Sequence, residues 1–337
     1  MSAIEIEIEA PATEALVEVN TLHKHFPVPT SFLSRERPVV HALNGVTITV
    51  ERGEAFCVVG ESGCGKTTLG RAIIGLISPT EGRIKFAGER IDQLSDEARK
   101  PFRQRMQMIF QNPYASLNPR MTVQETLEEP VRFHRPGLSR DDVRAQVDQV
   151  MRSVGNDPSW GRRYPHEFSG GQRQRISIAR ALMVDPEFIV ADEPISALDV
   201  SIQAQVLNLM MEARAERHLT YLFITHDLSV VEHFATRVAV MYLGTVCELA
   251  PAAELFAHPR HPYSQLLLSA IPKMDGSTVT HHESPGEVPS PINLPSGCVF
   301  HGRCPHADAR CKREVPALKQ FAPAVSVACH GVEEGRI

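Results

Sequence analysis

The sequence predicts an α/β fold in which buried parallel strands carry functional loops at one edge of a sheet. Three short apolar runs predict such strands, residues 56–59, 188–191 and 221–225, and polar residues follow each run at once. Segments with helical spacing, such as 173–183 and 201–217, alternate with them. Strands that alternate with helices are typical of a parallel sheet covered by helices. Further strands are predicted at 16–19, 46–50, 83–86, 103–110, 237–242 and 245–249, and further helices at 68–76, 123–129, 140–154, 251–257 and 262–271.

The amino-acid composition indicates the broad class of protein. The chain has 337 residues, 42% hydrophobic and 22% charged, which is ordinary for a soluble globular protein with one large domain and a small appendage. Its net charge of −5 provides no basic surface for nucleic acid. Residues 1–10 are acidic and unlike a signal peptide, and no run approaches the roughly 18 apolar residues that span a bilayer. We expect a cytosolic protein, or one held at a membrane only by partners.

A glycine-rich loop follows the first strand and fits the pattern G-x-x-x-x-G-K-[ST]. Glycines let such a loop wrap its backbone N–H groups around a polyphosphate, and the next helix adds positive potential at its start. Lys66 is expected to reach the β- and γ-phosphates, and the Thr67 hydroxyl to hold Mg²⁺. Cys64 lies beside the helix start, which is expected to lower its thiol pKa and make it oxidation-sensitive, although a small tolerated side chain is the favoured interpretation. The strand-loop-helix context favours nucleoside triphosphate binding over a chance match. The predicted loop comprises Gly60, Glu61, Ser62, Gly63, Cys64, Gly65, Lys66, Thr67 and Thr68.

Candidate catalytic residues follow the other two strands, at the edge where ligands bind in parallel sheets. Asp192 is expected to ligate Mg²⁺, and Glu193 to act as general base toward the attacking water. His226 would contact the γ-phosphate and the catalytic carboxylate. A solvated pair of acids and an ordinary histidine are the alternatives. The phosphate loop upstream favours the functional interpretation.

Three more segments are candidate parts of the site. Gln111, on a loop just past a strand, can reach a metal ion or an attacking water. Residues 169–172 place two glycines at a helix start, which suits a second anion contact, and residues 118–164 before them form a charged helical insertion. Residues 26–37, between the strands predicted at 16–19 and 46–50, predict a hairpin-like excursion ahead of the phosphate loop, in which Phe26 can lie against an adenine ring. The alternatives are a solvated glutamine, a plain helix start and a phenylalanine that covers the sheet edge.

The C-terminal part differs in composition. Residues 272–295 are rich in Pro, Ser, Gly and His and predict a linker or extended arm. Four of the seven cysteines follow, and an odd count in a chain without an export signal argues against disulfides. Four thiolates suit Zn²⁺ or an iron–sulfur cluster, and four free thiols are the remaining alternative. These residues are Cys298, Cys304, Cys311 and Cys329, without the paired C-x2-C knuckles of zinc ribbons.

These elements, in this order and spacing, resemble the nucleotide-binding subunit of an ATP-binding-cassette (ABC) transporter. Residues 111–120, the triplet 261–263 and the cysteine tail narrow the resemblance to the oligopeptide/dipeptide importer ATPases, in particular the "F" type subunit. The match covers roughly residues 16–272 and 294–330.

The resemblance implies a P-loop NTPase fold. It would have a RecA-like core, an antiparallel β subdomain and a helical subdomain at about 118–168, all within a cassette at 12–271. Residues 272–337 would form the C-terminal extension of these transporters, with a small Cys-rich module. For that module the family points to a [4Fe–4S] cluster rather than Zn²⁺.

The resemblance also assigns roles. Phe26 would stack on adenine, Gln111 would sense Mg²⁺ and contact the permease, and His226 would be the switch histidine. Phe168 stands where the signature more often carries Leu, and because it precedes the contacting residues we expect little effect. The signature and the residue that crosses the dimer interface would be Ser169, Gly170, Gly171, Gln172 and Asp199.

The implied function is ATP hydrolysis coupled to uptake of di- and oligopeptides. The implied partners are a homologous second ATPase subunit, two transmembrane permeases and an extracytoplasmic peptide-binding protein, with this chain at the cytoplasmic face of the plasma membrane. Similar machinery imports nickel complexes or glycans. A soluble ABC ATPase acting on nucleic acid or ribosomes is disfavoured, because those resemble two cassettes in one chain or carry coiled-coil insertions.

Overall fold

The computed structural model describes residues 15–28, 38–271 and 286–337, and within these ranges the chain forms twelve strands and eleven α-helices. The strands are β1 (Ala15–Pro27), β2 (Val39–Glu51), β3 (Ala55–Val59), β4 (Glu81–Phe86), β5 (Glu89–Arg90), β6 (Met106–Ile109), β7 (Phe188–Asp192), β8 (Thr220–Ile224), β9 (Arg237–Tyr242), β10 (Thr245–Pro251), β11 (Lys319–Ala322) and β12 (Val325–Val327). The helices are α1 (Lys66–Ile73), α2 (Asp96–Arg105), α3 (Pro113–Ser116), α4 (Val123–His134), α5 (Arg140–Ser153), α6 (Gly170–Leu182), α7 (Val200–Arg217), α8 (Leu228–Phe234), α9 (Ala252–Ala257), α10 (Pro262–Ser269) and α11 (His330–Glu333).

The large sheet forms the core and confirms the α/β prediction. Its strand order is β11-β12-β10-β9-β3-β8-β7-β6, and the run from β9 to β6 is parallel. Every residue of β3, β7 and β8 is buried, as expected for strands covered on both faces. Gly70 lets α1 approach this sheet closely, because a Cβ atom there would lie 2.8 Å from both Ile224 Cδ1 and Val190 Cγ1.

A smaller antiparallel sheet, β2-β1-β4-β5, packs beside the core. The strands predicted at 16–19 and 46–50 are parts of the much longer β1 and β2. Phe26 therefore lies within β1, opposite Val40, and not in an excursion between two short strands. Residues 29–37, also assigned to that excursion, lie outside the described part of the chain.

The helical insertion is confirmed as α4 and α5. Thr122 and Glu125 form a reciprocal capping box at the start of α4, and Ser139 caps α5. The predicted strand at 103–110 is wrong in its first half, because α2 continues to Arg105 and β6 begins at Met106. Helix α2 buries Phe102 alone, so it shows little of the apolar periodicity that reveals a helix in sequence.

The C-terminal region is joined to the core through the large sheet. Strand β12 pairs with β10, with Glu248 opposite Val327, and β11 pairs with β12. Of the predicted linker, residues 272–285 lie outside the described ranges, and Pro291 accepts a hydrogen bond from the His41 backbone at 2.9 Å. In residues 15–28, 38–271 and 286–337 no helix has the length and apolar character to cross a bilayer.

Candidate functional site

A cavity of about 570 Å³ opens at the carboxyl ends of β3 and β7, beside β1 and β2. It brings together most of the residues predicted from the phosphate loop and the strand ends. Val40, Ala42 and Pro291 are additional residues that the sequence did not single out. The lining residues are Phe26, Val40, Ala42, Ser62, Gly63, Gly65, Lys66, Thr67, Thr68, Gln111, Glu193, His226 and Pro291.

The phosphate loop has a backbone that only glycine accommodates at two positions. Gly60 and Gly65 have φ values of +149° and +102°, in the region that favours glycine. A Cβ atom at Gly60 would lie 2.1 Å from the Met241 carbonyl oxygen, and one at Gly65 would lie 2.2 Å from that of Ala42. The β-sheet backbones on both sides therefore fix the path of the loop.

Lys66 begins α1 and its ammonium lies across the loop. Its Nζ donates to the carbonyl oxygens of Gly60 at 2.7 Å and Glu61 at 3.0 Å. The N-terminus of α1 has no side-chain cap, since Gly65 occupies the cap position. Its N–H groups therefore remain available to an anion.

The expectation of a lowered Cys64 pKa is wrong. The thiol is 4% exposed, and burial raises its pKa, while the nearby Lys66 ammonium acts in the opposite direction. Desolvation of the thiolate outweighs the attraction of one cation and the helix start. Cys64 is a buried small side chain of the loop.

Thr67 lines the cavity and contacts Asp192, which is itself not among the lining residues. The Thr67 hydroxyl donates to Asp192 Oδ1 at 2.8 Å, and Asp192 is 1% exposed. Burial raises the pKa of Asp192, and the hydrogen bond from Thr67 opposes that rise. A hydroxyl and a carboxylate at this separation provide the hard oxygen ligands that Mg²⁺ prefers. These two residues fit the ion that the family implies.

Glu193 lies between the other two candidate catalytic side chains, Gln111 and His226. Gln111 Nε2 donates to its Oε2 at 2.8 Å, and His226 Nδ1 lies 3.1 Å from its Oε1. Glu193 has φ +45°, a left-handed conformation that costs a non-glycine residue free energy. Its backbone N–H donates to the Ile224 carbonyl at 2.9 Å, which fixes the carboxylate relative to β8. One carboxylate held by two polar side chains can orient and deprotonate a water molecule.

The mouth of the cavity is partly aromatic. Phe26 is 37% exposed, and the Lys24 ammonium lies 4.9 Å from its ring centroid. An exposed ring next to Val40 and Pro291 provides a flat apolar surface on which a base can stack.

The predicted signature residues do not line this cavity. Ser169 and Gln172 form a reciprocal capping box at the start of α6, and Asp199 is the N-cap of α7. Gly171 packs against α7, where a Cβ atom would lie 2.4 Å from Ile202 Cγ2. Of the loop itself, Gly60, Glu61 and Cys64 also fall outside the lining. Glu61 instead contacts Arg303 in the C-terminal region, a partner that no sequence motif indicated.

The four C-terminal cysteines surround a second, much smaller cavity. Cys298, Cys304, Cys311 and Cys329 line it together with histidines that include His261 and His330. Burial and the neighbouring thiols raise the pKa of Cys298 to about 11, and burial also raises those of Cys304 and Cys329. The soft donor set suits a metal or cluster. In the described part of the chain, however, no group of three or more Cys, His, Asp or Glu residues is arranged to hold a metal ion.

Two family profiles match the chain. The profile described as ABC transporter matches residues 43–196, and that of the oligopeptide/dipeptide transporter C-terminal region matches residues 247–311. The first spans the phosphate loop and both carboxylates of the site. The second spans β10, α10 and three of the four cysteines.

Curated relatives match over nearly the whole chain. The chain is 50% identical to the oligopeptide transport ATP-binding protein AppF of Bacillus subtilis (strain 168), over 94% of this chain and 97% of that protein. It is 46% identical to the dipeptide transport ATP-binding protein DppF of Escherichia coli (strain K12), over 97% of each. The oligopeptide transport ATP-binding protein OppF of Salmonella typhimurium is 47% identical over 93% of this chain and 96% of its own length.

Solved structures share the fold. CbiO1 of Clostridium perfringens, part of an ABC transporter complex, superposes with a TM-score of 0.62 at 27% identity, over 72% of this chain and 91% of that one. The dimeric cassette MJ0796 bound to ADP and phosphate has the same TM-score and identity, over 70% of this chain and 98% of that one. The resemblance drawn from the motifs is confirmed: the chain belongs to the ABC transporter family, among its oligopeptide and dipeptide transport ATP-binding proteins.

Proposed function

We propose that the chain is the ATP-hydrolysing subunit of an importer for di- and oligopeptides. The observation that carries this proposal is the match to peptide-transport ATP-binding proteins along nearly the entire chain, C-terminal region included. The cavity supports it, since a phosphate loop, a hydroxyl–carboxylate pair and a held glutamate are the parts that hydrolysis requires. Peptides are favoured over nickel complexes or glycans because the matched relatives are named for peptide transport.

In this proposal each side chain has one task. Phe26 stacks on adenine, and Lys66 with the loop N–H groups binds the phosphates. Thr67 and Asp192 would hold Mg²⁺ near Gln111, and the ion would neutralise charge on the phosphate oxygens. Glu193 accepts the proton of the attacking water, while His226 keeps the carboxylate oriented.

The signature residues act on a second cassette. Ser169, Gly170, Gly171 and Gln172 open α6 outside the chain's own cavity, so the helix start is free to complete the site of a facing subunit. Asp199, at the start of α7, would lie at that interface. ATP would then close the pair and hydrolysis would release it, as expected for a two-state element controlled by γ-phosphate contacts.

The proposed assembly contains a homologous second ATPase subunit as heterodimer partner, two transmembrane permeases and an extracytoplasmic peptide-binding protein. The cassette at residues 12–271 would contact the permeases from the cytoplasmic face of the plasma membrane, with residues 272–337 as its extension.

The assembly is tested by co-purification. The tagged chain is isolated from detergent-solubilised membranes and its partners are identified by mass spectrometry. The proposal predicts two permeases and a second cassette, with a peptide-binding protein added when peptide is present. Recovery from the cytosol alone, or with ribosomes, would contradict it.

For the C-terminal region we propose that Cys298, Cys304, Cys311 and Cys329 hold a [4Fe–4S] cluster. Their shared cavity supports this, because all four cysteines line it and four thiolates are the usual ligands of such a cluster. Zn²⁺ is the alternative that the same donors allow.

The cluster is tested by metal and sulfide analysis of anaerobically purified protein. The proposal predicts iron, acid-labile sulfide and visible absorption in the parent chain, and their loss in Cys304→Ser. Cys57→Ala, which removes a buried thiol from β3, serves as control and should retain them. One equivalent of zinc without iron, or a metal-free protein, would refute the assignment.

A further inference from the structure

Glu61 is a phosphate-loop residue whose carboxylate is bound from the opposite end of the sequence. Arg303 donates from Nη1 to Glu61 Oε2 at 2.9 Å and from Nη2 to Oε1 at 3.0 Å. Two parallel hydrogen bonds of this kind are the strongest geometry available to an arginine–carboxylate pair. The contact joins the loop directly to the C-terminal region.

The pair is largely withdrawn from water. The Arg303 side chain is 10% exposed and that of Glu61 is 28% exposed. The guanidinium also donates to Tyr242 Oη at 3.3 Å and lies 5.8 Å from the Phe300 ring centroid. Hydrogen bonds to Glu61 and to the Tyr242 hydroxyl raise the pKa of Arg303, against the opposing effect of burial. An ion pair with low exposure and fixed geometry is stronger than one at the surface.

The backbone of Glu61 is fixed as well. Its N–H donates to Tyr263 Oη at 2.9 Å, and Tyr263 is fully buried against Tyr242 and Phe300. Its carbonyl oxygen accepts a hydrogen bond from Lys66 at 3.0 Å. Contacts therefore run without a break from Arg303 through Glu61 to the ammonium of Lys66, a residue that lines the cavity.

We propose that Arg303 is a positioning residue for the phosphate loop, and that the C-terminal region is thereby a working part of the nucleotide site. This rests on the proposed function, in which the loop binds ATP. Arg303 acts through Glu61, which holds the loop in the shape that its N–H groups and Lys66 need. Pro291 lines the same cavity and bonds to the His41 backbone, so the region reaches the site at a second point. Cys304 follows Arg303 directly, which joins the cysteine cavity to this contact.

The test compares three arginine variants of the full chain. Arg303→Ala removes the pair, and Arg303→Lys keeps the charge without the two parallel hydrogen bonds. Arg310→Ala is the matched control, because Arg310 pairs with Glu314 and Glu334 inside the C-terminal region and does not reach the loop. The Kd for a non-hydrolysable ATP analogue is measured by calorimetry, well below the melting temperature of each variant. Hydrogen exchange of the loop amides is measured alongside.

We expect Kd to rise roughly tenfold in Arg303→Ala, which is about 1.4 kcal/mol. Arg303→Lys should give a smaller increase, and Arg310→Ala none. Loop amides of Arg303→Ala should exchange faster, while those of β8 remain protected. Glu61→Ala should weaken binding to the same extent, and the double variant should add little, as for residues that act through one contact.

Two results would overturn the inference. A folded Arg303→Ala or Arg303→Lys protein with unchanged Kd and unchanged hydrogen exchange of the loop amides would show that Arg303 does not position the phosphate loop. Equal weakening in Arg310→Ala would show a general effect of the C-terminal region and not a specific contact. Failure of the parent chain to bind the analogue would instead contradict the proposed function itself, and with it the basis of this inference.

Discussion

At the scale of single residues, the proposed role of Glu193 concerns the hydrolysis of ATP and not the binding of ATP. The carboxylate is 17% exposed and contacts the side chains of Gln111 and His226. Its left-handed backbone aims the side chain from the end of β7 into the cavity. In its proposed role as general base, Glu193 would contribute to the chemical step and little to nucleotide affinity.

Glu193→Gln should therefore lower the rate of ATP hydrolysis by about 10²-fold or more, the usual contribution of a general base, and leave ATP binding intact. Phosphate release and nucleotide Kd are measured on the same preparation. The control, Glu212→Gln on the exposed face of α7, should hydrolyse ATP normally. Turnover by Glu193→Gln at the parental rate would exclude Glu193 as the base.

Gly65 offers a second residue-scale prediction. Gly65→Ala forces a Cβ atom to 2.2 Å from the Ala42 carbonyl oxygen, so the loop and β2 must separate. We expect nucleotide binding to be lost and the free energy of unfolding to fall by more than the ~1–2 kcal/mol that a left-handed alanine costs by itself. Gly53→Ala, at φ +71° with nothing within 4 Å, is the control for that conformational cost. Equal unfolding free energies for the two variants would disprove the steric argument.

At the scale of elements, helix α10 carries a buried histidine at its N-cap. His261 is 2% exposed, and its Nδ1 accepts a hydrogen bond from the Tyr263 backbone at 3.0 Å. Burial lowers the pKa of His261 from 6.5 to about 4. The unfolded chain therefore binds a proton between these pH values that the folded chain does not.

The free energy of unfolding should therefore fall as the pH is lowered from 6.5 toward 4. Protonation of His261 in the unfolded chain accounts for up to ~3 kcal/mol of that fall. His261→Asn keeps a capping acceptor and removes the titration. Urea unfolding at pH 7.5, 6 and 5 should show the parent losing its stability advantage over His261→Asn as the pH falls. Curves that stay parallel would mean that His261 does not titrate on unfolding.

The strands also explain why part of the site can be predicted from the sequence. The loop, Asp192-Glu193 and His226 each come at or just after the end of a short, buried and mostly apolar strand, so local pattern alone predicts them at one sheet edge. Helix α2 was missed because it buries Phe102 alone. The strand position of Phe26 was missed because β1 extends beyond its apolar stretch, where pairing with β2 maintains the strand.

Local sequence pattern does not predict contacts between segments that are distant in the sequence. Arg303 and Glu61 are 242 residues apart, and neither residue belongs to a motif that pairs them. The raised Cys64 pKa likewise depends on burial that only the packed fold creates. Pro291 stands in a stretch with the composition of a linker, yet it lines the cavity. Local pattern predicts elements and their ends, whereas tertiary contacts of irregular segments require the fold.

At the scale of the whole molecule, one sheet joins the cassette to its C-terminal region. Strands β12 and β11 extend the large sheet from β10, and Val325 and Val327 are buried in its core. The region therefore shares the core of the cassette, and a change there can reach the nucleotide site through Arg303. The start of α6 lies outside the lining of the chain's own cavity, as its proposed role toward a facing cassette requires.

The most direct test of the central claim is ATP-dependent peptide uptake. A radiolabelled tripeptide is supplied to cells from which the gene for this chain has been deleted, with the parent or the Glu193→Gln chain restored at equal expression. We predict that the parent restores uptake and that Glu193→Gln does not. Uptake that is unaffected by the deletion, or that Glu193→Gln restores in full, would contradict a role for this chain's ATP hydrolysis in peptide import.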